Sequence, residues 1–274
     1  CPLISGSSGN ASYVACGSTR LLVDCGGSGR QIVTCLEEIG VDAATITGIL
    51  ITHAHRDHTC GAGIWSRRFD VPIYASIGTW EEIQKRNQVG DVSARNIKVF
   101  QSSSLQPLVL GDFEVSFFPT PHDAPDPVGY RIEHGHASVA IATDIGCISA
   151  TLLDHLDGAS VVLLEANHDP VMLKNGPYTD ELKRRILSNV GHLSNEHAGL
   201  LAGRLLRSGT RRIYLGHLSK ENNTPDMALS TVIQTLQNNQ VEFVEQTQIV
   251  LAPRGKPGPV TRIAADGELF LDLP

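Results

Sequence analysis

Apolar residues along the chain fall into short runs and helical spacings that follow one another from end to end. The continuous apolar runs 48–51 and 161–164 predict buried strands, and the alternating segment 113–118 predicts a half-buried strand. Apolar residues three and four positions apart predict helices over 32–39 and 225–238. Similar patterns predict helices over 79–87, 180–189 and 195–208, strands over 71–75 and 212–215, a hairpin of 128–133 with 137–143, and a last strand or two within 241–252. Strands interleaved with helices predict an α/β fold.

No break in composition divides the chain before its last residues. We therefore expect a single domain over residues 1–274, in which the Gly- and Pro-rich segment 253–259 leads into a tail that ends at residue 274. Hydrophobic residues make up 41% of the chain and charged residues 19%, as in ordinary globular proteins, and no run of 18 apolar residues predicts a transmembrane helix. Residues 1–4 read as the interior of a strand, so we expect further residues upstream of Cys1.

Net charge and cysteine spacing bear on nucleic-acid binding and on the cellular compartment. The net charge is −7, so the chain as a whole lacks the basic footprint typical of a protein that holds nucleic acid by its phosphates. Basic residues do cluster locally, within 183–185, 204–212 and 254–262. The six cysteines include no Cys-x-x-Cys pair, which favours free thiols in a reducing cytosol.

A dense group of possible metal ligands follows the strand predicted over 48–51. In an extended segment, residues two apart project to the same side, so His53 and His55 can bind one ion. Asp57 and His58 lie a turn further on and can reach a second ion. Imidazole combined with carboxylate favours Zn, Mn or Fe over Ca or Mg. The segment therefore predicts a transition-metal site, because unpartnered imidazoles and carboxylates would be costly to bury.

Other polar residues stand where predicted strands end. His122 follows the strand over 113–118, Asp144 follows the second strand of the hairpin, and His217 follows the strand over 212–215. Added to the four residues of the first motif, they give the number of ligands that two hydrolytic metal ions require. The sequence thus predicts a dinuclear centre.

The order of these ligands, His-x-His-x-Asp-His followed by a single His, an Asp and a final His, resembles the metallo-β-lactamase superfamily. The resemblance covers about residues 3–252 and implies an αββα sandwich with two divalent transition-metal ions, Zn or Mn with Fe possible, at one edge. It also implies the ligand of each ion: His53, His55 and His122 for the first, Asp57, His58 and His217 for the second, and Asp144 shared by both.

Finer motifs resemble the YycJ/WalJ group, which is similar to ribonuclease Z and is associated with 5′→3′ exonuclease action on DNA. They are the loop 5–10, the segments 121–130 and 165–169, the stretch 191–195, and the stretch 217–223. The resemblance implies that Asp57 orients the nucleophile and that His168 or His192 donates a proton to the leaving oxygen. Candidate substrate-binding residues in these motifs are Ser7, Ser8, Asn10, Ser194, Lys220 and Asn223.

We therefore expect a cytosolic phosphodiesterase in which two metal ions activate a hydroxide, acting on nucleic acid, DNA rather than RNA, and not on a membrane. Two other hydrolase classes stay open: an enzyme for a small phosphodiester, such as a cyclic nucleotide or a phosphonate-pathway ester, and a thioester or lactam hydrolase. A metal-binding protein without turnover is a third class, and the complete ligand set disfavours it.

Overall fold

The computed structural model describes residues 1–243, 248–264 and 266–270. Contacts between residues divide the chain into two compact units. The first comprises Cys1–Pro119, Ala124–Val128 and Pro253–Val260; the second comprises Thr120–Asp123, Gly129–Ala252 and the described part of Thr261–Pro274. The single domain expected from the sequence stays a prediction.

The first unit is built on a mixed sheet. Its strands lie in chain order: β1 (Pro2–Ile4), β2 (Ala11–Cys16), β3 (Thr19–Val23), β4 (Gly48–Leu50), β5 (Ile73–Ser76) and β6 (Ile97–Phe100). The first three strands pair antiparallel, and β3 to β6 pair parallel. Its helices are α1 (Gly29–Glu38), α2 (Arg56–Thr59), α3 (Ala62–Phe69) and α4 (Ile77–Lys85), and β7 (Leu108–Leu110) forms an antiparallel hairpin with β8 (Phe113–Pro119).

Local sequence explains how these elements begin and how they pack. The hydroxyl of Ser28 accepts a hydrogen bond from the backbone N–H of Gln31 and caps α1, whose apolar face then lies in the core. Gly40 ends the helix region with a left-handed φ of 74°, a conformation that costs glycine little. The core of this unit packs side chains of β3, β4 and β5 against Leu36 of α1 and Trp65 of α3.

The second unit contains the hairpin β9 (Val128–His134) and β10 (Ala137–Ala142), followed by β11 (Val161–Glu165), β12 (Arg212–Gly216) and β13 (Ile249–Leu251). Strands β10 to β13 pair parallel in chain order. The helices of this unit are α5 (Ala150–Leu156), α6 (Pro170–Asn175), α7 (Asp180–Ile186), α8 (Asn195–Arg207) and α9 (Pro225–Asn238). Parallel strands carry their carboxyl ends to one edge of the sheet, so residues that follow β10, β11 and β12 meet there.

Most of the predicted elements are present, with ends within a few residues of the predicted ones. The helix over 225–238 and the hairpin around residues 134–136 match closely. The sequence patterns did not predict the helices α2, α3, α5 and α6 or the strands β2, β6 and β7. Within 241–252 the structure places β13, while residues 244–247 lie outside the described part of the chain.

The segment after Ala252 is attached to the first strand of the first unit. The backbone N–H of Ser5 donates to the carbonyl of Pro253, and the N–H of Gly258 donates to the carbonyl of Pro2. Further on, β14 (Arg262–Ile263) pairs antiparallel with β15 (Leu269–Phe270). Across the described ranges, no helix combines the length and the apolar character needed to cross a bilayer.

Candidate metal centre

The first cluster of candidate ligands lies in the first unit, in the loop of residues 52–58 that follows β4 and that we call the metal loop. Nε2 of His53 lies 3.1 Å from Nδ1 of His55, and the rings of His53 and His58 are 4.1 Å apart between centroids. His53 and His58 are buried, whereas His55 and Asp57 are half-buried. The structure therefore brings the imidazoles predicted from the sequence into one group.

Asp24 supports the metal loop from the end of the neighbouring strand β3. Its carboxylate accepts hydrogen bonds from the backbone N–H of Thr52 at 2.9 Å and from the Thr52 hydroxyl at 3.0 Å, and it lies 2.7 Å from Nδ1 of His58. A carboxylate held against Nδ1 places the proton of a neutral imidazole there, which directs Nε2 toward a metal. Asp24 has a left-handed φ of 61°, and such strain in a residue other than glycine is concentrated at functional sites.

Asn10, a predicted substrate-binding residue, is buried behind the same loop. Its amide nitrogen lies 3.0 Å from Nε2 of His58 and 3.4 Å from a carboxylate oxygen of Asp57. Ser7 and Ser8 of the same N-terminal loop are exposed. The loop thus presents its hydroxyls to solvent and uses Asn10 to position ligands, while the substrate role of all three residues stays a prediction.

Two supports of the metal loop were not predicted from the sequence. The amide nitrogen of Gln88 donates to the carbonyl of Ala54 at 2.8 Å, and its oxygen accepts from the hydroxyl of Thr59 at 3.0 Å. Gly26 is the second support, since a Cβ there would lie 1.6 Å from the carbonyl oxygen of Asp57. Only glycine allows the two backbone segments to approach so closely. The pattern Asp-Cys-Gly-Gly after a strand was the available signal for this close approach.

The second cluster lies in the second unit, at the edge where β10, β11 and β12 end. One ligand atom from each of Asp144, Glu165, His192 and His217 lies within 4.8 Å of the others. Nε2 of His122 lies 3.6 Å from Asp144. Asp144 and His217 both have a left-handed φ, 58° and 53°, so each strand turns sharply just where it places a candidate ligand. The residues that the sequence placed at these strand ends therefore do come together.

Glu165 joins this cluster, and the sequence prediction did not assign it a role. One carboxylate oxygen lies 2.8 Å from Nδ1 of His192 and 2.9 Å from Nδ1 of His217. The other oxygen accepts from the backbone N–H groups of Ile145 at 2.7 Å and Leu193 at 3.2 Å. An acidic residue that ends a fully buried strand was the available signal, because a buried carboxylate requires partners.

The charges of Glu165 and His192 depend on one another. Burial of Glu165 by itself raises its pKa, but the adjacent imidazoles of His192 and His217 outweigh that effect and lower the pKa to about 2. Burial of His192 by itself lowers its pKa, yet the carboxylate of Glu165 raises it above the ordinary value for histidine. The pair therefore favours an ionised Glu165 beside a protonated His192.

His168, the other predicted proton donor, has different surroundings. It is 1% exposed, and neither ring nitrogen has a hydrogen-bond partner among the described residues. Burial lowers its pKa to about 4, so the ring is neutral near pH 7. His192, with a side chain 21% exposed, is more accessible.

The remaining predicted substrate-binding residues differ in their exposure. Ser194 is buried and caps α8, because its hydroxyl accepts from the N–H of His197. Asn223 is also buried, and its amide donates to the carbonyls of Ala166 and Asn167. Lys220 is exposed. Their roles toward a substrate stay predictions, and the contacts of Asn223 are those of a structural cross-link between β11 and the segment after β12.

The donor chemistry of both clusters fits divalent transition metals. Imidazole nitrogens and carboxylate oxygens are the ligands that such ions take in hydrolytic proteins. In the second unit the donor atoms already lie close enough together to surround an ion. In the first unit the imidazole of His58 is held by Asp24, an arrangement typical of ligating histidines.

Comparison with known proteins agrees with this description. Residues 19–218 match the β-lactamase superfamily domain. The chain is similar to exodeoxyribonuclease WalJ of Streptococcus pneumoniae, with 38% identity over 234 residues that cover 85% of this chain and 86% of the relative. It is also similar to exodeoxyribonuclease YycJ of Bacillus anthracis, with 36% identity over 86% of this chain and 88% of the relative. The crystal structure of the metallo-β-lactamase fold protein YhfI from Bacillus subtilis superposes with a TM-score of 0.67 at 20% identity, over 93% of this chain and 97% of that protein. The predicted fold class, the α/β metallo-β-lactamase sandwich, is thereby confirmed.

Proposed function

We propose that this chain, which belongs to the β-lactamase superfamily and has the WalJ and YycJ proteins as relatives, is a metal-dependent hydrolase of phosphodiester bonds that degrades DNA from the 5′ end. Both of these relatives are named exodeoxyribonucleases, and each aligns over more than four fifths of its length. The observation that carries the proposal is the pairing of His192 with Glu165 beside Asp144 and His217. It puts an imidazole whose pKa is raised by a carboxylate next to candidate metal ligands, where it can donate a proton to a poor leaving group.

The proposed ligand assignment follows the family resemblance. Two divalent ions, Zn or Mn with Fe possible, would be held by the seven residues that the resemblance implies: His53, His55, His122, Asp144, Asp57, His58 and His217. Such ions supply Lewis-acid activation of water and charge neutralisation on the phosphate. Asp57, half-buried beside His58, is the proposed group that orients the attacking water.

We assign the proton donor to His192 in preference to His168. The hydrogen bond from Nδ1 of His192 to Glu165 orients the ring and raises its pKa, so that Nε2 carries a proton for the leaving oxygen. Removal of such a general acid costs typically about 10²–10⁴-fold in rate. His168 is buried and neutral, which suits support of the neighbouring segment better than proton donation.

Substrate contacts are proposed for exposed groups first. Ser7 and Ser8 at the tip of the N-terminal loop and the exposed Lys220 are available to a phosphate, whereas Asn10, Ser194 and Asn223 are buried and would act through the backbone they hold. We also propose a cytosolic location, because the six cysteines are free thiols in the structure.

Two substrates with different leaving groups test the proposal. Metal-loaded protein should shorten a 5′-labelled DNA duplex, and His55→Ala should abolish that activity. His192→Ala should slow DNA cleavage far more than hydrolysis of bis-p-nitrophenyl phosphate, because p-nitrophenolate leaves without a proton. Wild-type protein that leaves both labelled duplex and single-stranded DNA intact would exclude the nuclease. Turnover of a cyclic nucleotide or of a thioester alone would identify one of the other hydrolase classes.

A further inference from the structure

The segment between β11 and α8 carries a basic surface that the proposed chemistry does not use. This segment contains α6, α7 and residues 187–191, which we call the strap and which lead from α7 to His192. Lys174 at the end of α6 and Arg184 and Arg185 in α7 are exposed, and Lys183 is half-buried. We call these four residues the α6–α7 surface.

The strap connects this surface directly to the second ligand cluster. The backbone N–H of His192 donates to the carbonyl of Ile186, the last residue of α7, at 3.0 Å. The carbonyl of Gly191 lies 3.3 Å from Nδ1 of His122. A Cβ at Gly191 would meet the carbonyl of Ile186 at 2.2 Å, so the strap lies tightly against the end of the helix. The basic end of α7 is thus anchored beside the proposed proton donor and a proposed ligand.

The charges of α7 are sorted along its length. Asp180 and Glu181 occupy the first turn, and the three basic residues 183–185 follow toward the end that meets His192. Such a sorting also suits the helix dipole, which attracts anions to the first turn and cations to the last. Lys174 lies on a different helix, and its backbone carbonyl accepts from Nζ of Lys183 at 2.8 Å, which brings the end of α6 next to the basic end of α7.

The ion pair of Arg185 with Asp123 limits how many charges remain for a ligand. Arg185 donates to the carboxylate of Asp123, the residue after His122, and this contact raises the pKa of the guanidinium. The pair is neutral as a whole and fastens α7 to the ligand segment. Lys174, Lys183 and Arg184 therefore carry the charges of the α6–α7 surface that Asp123 does not neutralise, whereas the carboxylates of Asp180 and Glu181 lie at the other end of α7. The chain as a whole carries −7.

We propose that the α6–α7 surface binds the phosphates of the DNA strand next to the bond that is cut. The inference rests on the proposed nuclease function and adds the path of the strand. Lys183 and Arg184 lie within one helical turn of Ile186, whose carbonyl accepts from the N–H of His192. Phosphates of one strand follow one another at about 3.4 Å of helix axis per nucleotide, so a strand that passes His192 would bring its neighbouring phosphates to these cations. A small phosphodiester would be too short to make these contacts.

A paired set of charge variants tests the surface. Lys174→Gln/Arg184→Gln removes two of its charges. Arg204→Gln/Arg207→Gln removes two charges from the end of α8, whose 13 residues begin at the strap side of the cluster. At 1.5 Å per residue that end lies about 15 Å further along the helix. The probe is a 5′-phosphorylated duplex with phosphorothioate linkages, and its affinity for the metal-loaded protein is measured by fluorescence anisotropy between 50 and 200 mM salt.

Each phosphate contact contributes about 0.9 to the slope of log K against log salt. The α6–α7 variant should therefore lose about 1.8 units of slope, and the wild type should lose about tenfold more affinity than this variant across the salt range. The α8 variant should keep the wild-type slope, and both variants should hydrolyse bis-p-nitrophenyl phosphate at the wild-type rate.

Equal slopes for both variants and the wild type, in protein that still cuts DNA, would overturn the proposed strand path and leave the nuclease function standing. Wild-type protein that neither binds nor cuts the duplex would overturn both proposals. Equal losses in the two variants would also reject the surface, because the effect would then be one of net charge alone.

Discussion

Glu165→Gln is the most informative single substitution in the second unit. The change keeps one carbonyl oxygen to accept from the N–H groups of Ile145 and Leu193, which lie 2.7 and 3.2 Å from the native carboxylate. It places an NH₂ group where the native oxygen faces Nδ1 of His192 at 2.8 Å and of His217 at 2.9 Å. The size of the side chain is unchanged, so the substitution isolates the hydrogen-bond acceptor and its charge.

Two hydrogen bonds to a buried charge are lost in that variant. Each is worth about 1.5–3 kcal/mol, so the gross loss is about 3–6 kcal/mol if the rings do not adapt. The imidazoles recover part of it by moving their protons from Nδ1 to Nε2, so that Nδ1 accepts from the new amide. For His217 that proton then occupies Nε2, the nitrogen that a carboxylate partner at Nδ1 leaves for a metal. Loss of such a partner typically costs about 10–100-fold in metal affinity or activity.

Competition with a fluorescent chelator measures metal affinity, and bis-p-nitrophenyl phosphate measures turnover. We expect Glu165→Gln to lower the affinity about 10–100-fold and to lower turnover with it. The matched control is Glu133→Gln on β9. It also replaces a carboxylate by an amide, but in an ion pair with Arg131. Wild-type affinity and turnover in Glu165→Gln would refute the role of Glu165 in orienting both imidazoles.

Three further predictions use other supports of the two clusters. Asp24→Asn, which removes the acceptor 2.7 Å from Nδ1 of His58, should lower metal affinity by about 10–100-fold in the chelator assay. Gly191→Ala should cost about 1–3 kcal/mol of the free energy of unfolding in urea and should slow DNA cleavage, because its Cβ would collide with a carbonyl of α7 and displace the strap. In metal-free protein, the stability that wild type gains over Glu165→Gln should be largest between about pH 4.5 and 6.5. It should fall as the pH drops toward 2, where Glu165 with its lowered pKa takes up a proton, and also as the pH rises through the raised pKa of His192; a difference independent of pH would contradict this assignment.

The candidate ligands stand out in the sequence because one physical rule applies to each of them. A polar residue at the end of a buried strand needs a partner, and parallel strands bring such residues to one edge. The same rule applies to Glu165, which ends β11. No metal or catalytic role was predicted for it, because it is not part of the ligand order of the family. The rule also covers Asp24 at the end of β3, whose carboxylate holds Thr52 and His58 of the metal loop.

The helices that were not predicted are short, and only the residues at their first turn indicate where they begin. α5 has seven residues and begins after Ser149, whose hydroxyl accepts from the N–H of Leu152. α6 has six residues and begins after Asp169 with proline at its first position. A window of six or seven residues holds too little helical periodicity to stand out, so only the capping residues indicate these helices. The support of the metal loop by Gln88 was not predicted for a different reason. Its partners Ala54 and Thr59 are distant in sequence, and no local pattern joins them to Gln88.

The left-handed residues at the strand ends bring the fold and the proposed chemistry together. Asp24, Asp144 and His217 adopt a φ between 53° and 61°, although none of them is a glycine. Each such residue costs about 1–3 kcal/mol, and each follows a strand whose side chains are mostly buried. Glycine would relieve the strain at all three positions, but glycine has no side chain to hold Nδ1 of His58 or to join the second cluster. The strained backbone at these positions is therefore explained by the polar groups that it places in the two clusters. A sequence pattern cannot show this strain, because it reports which residue stands at a strand end and not the conformation that the residue adopts.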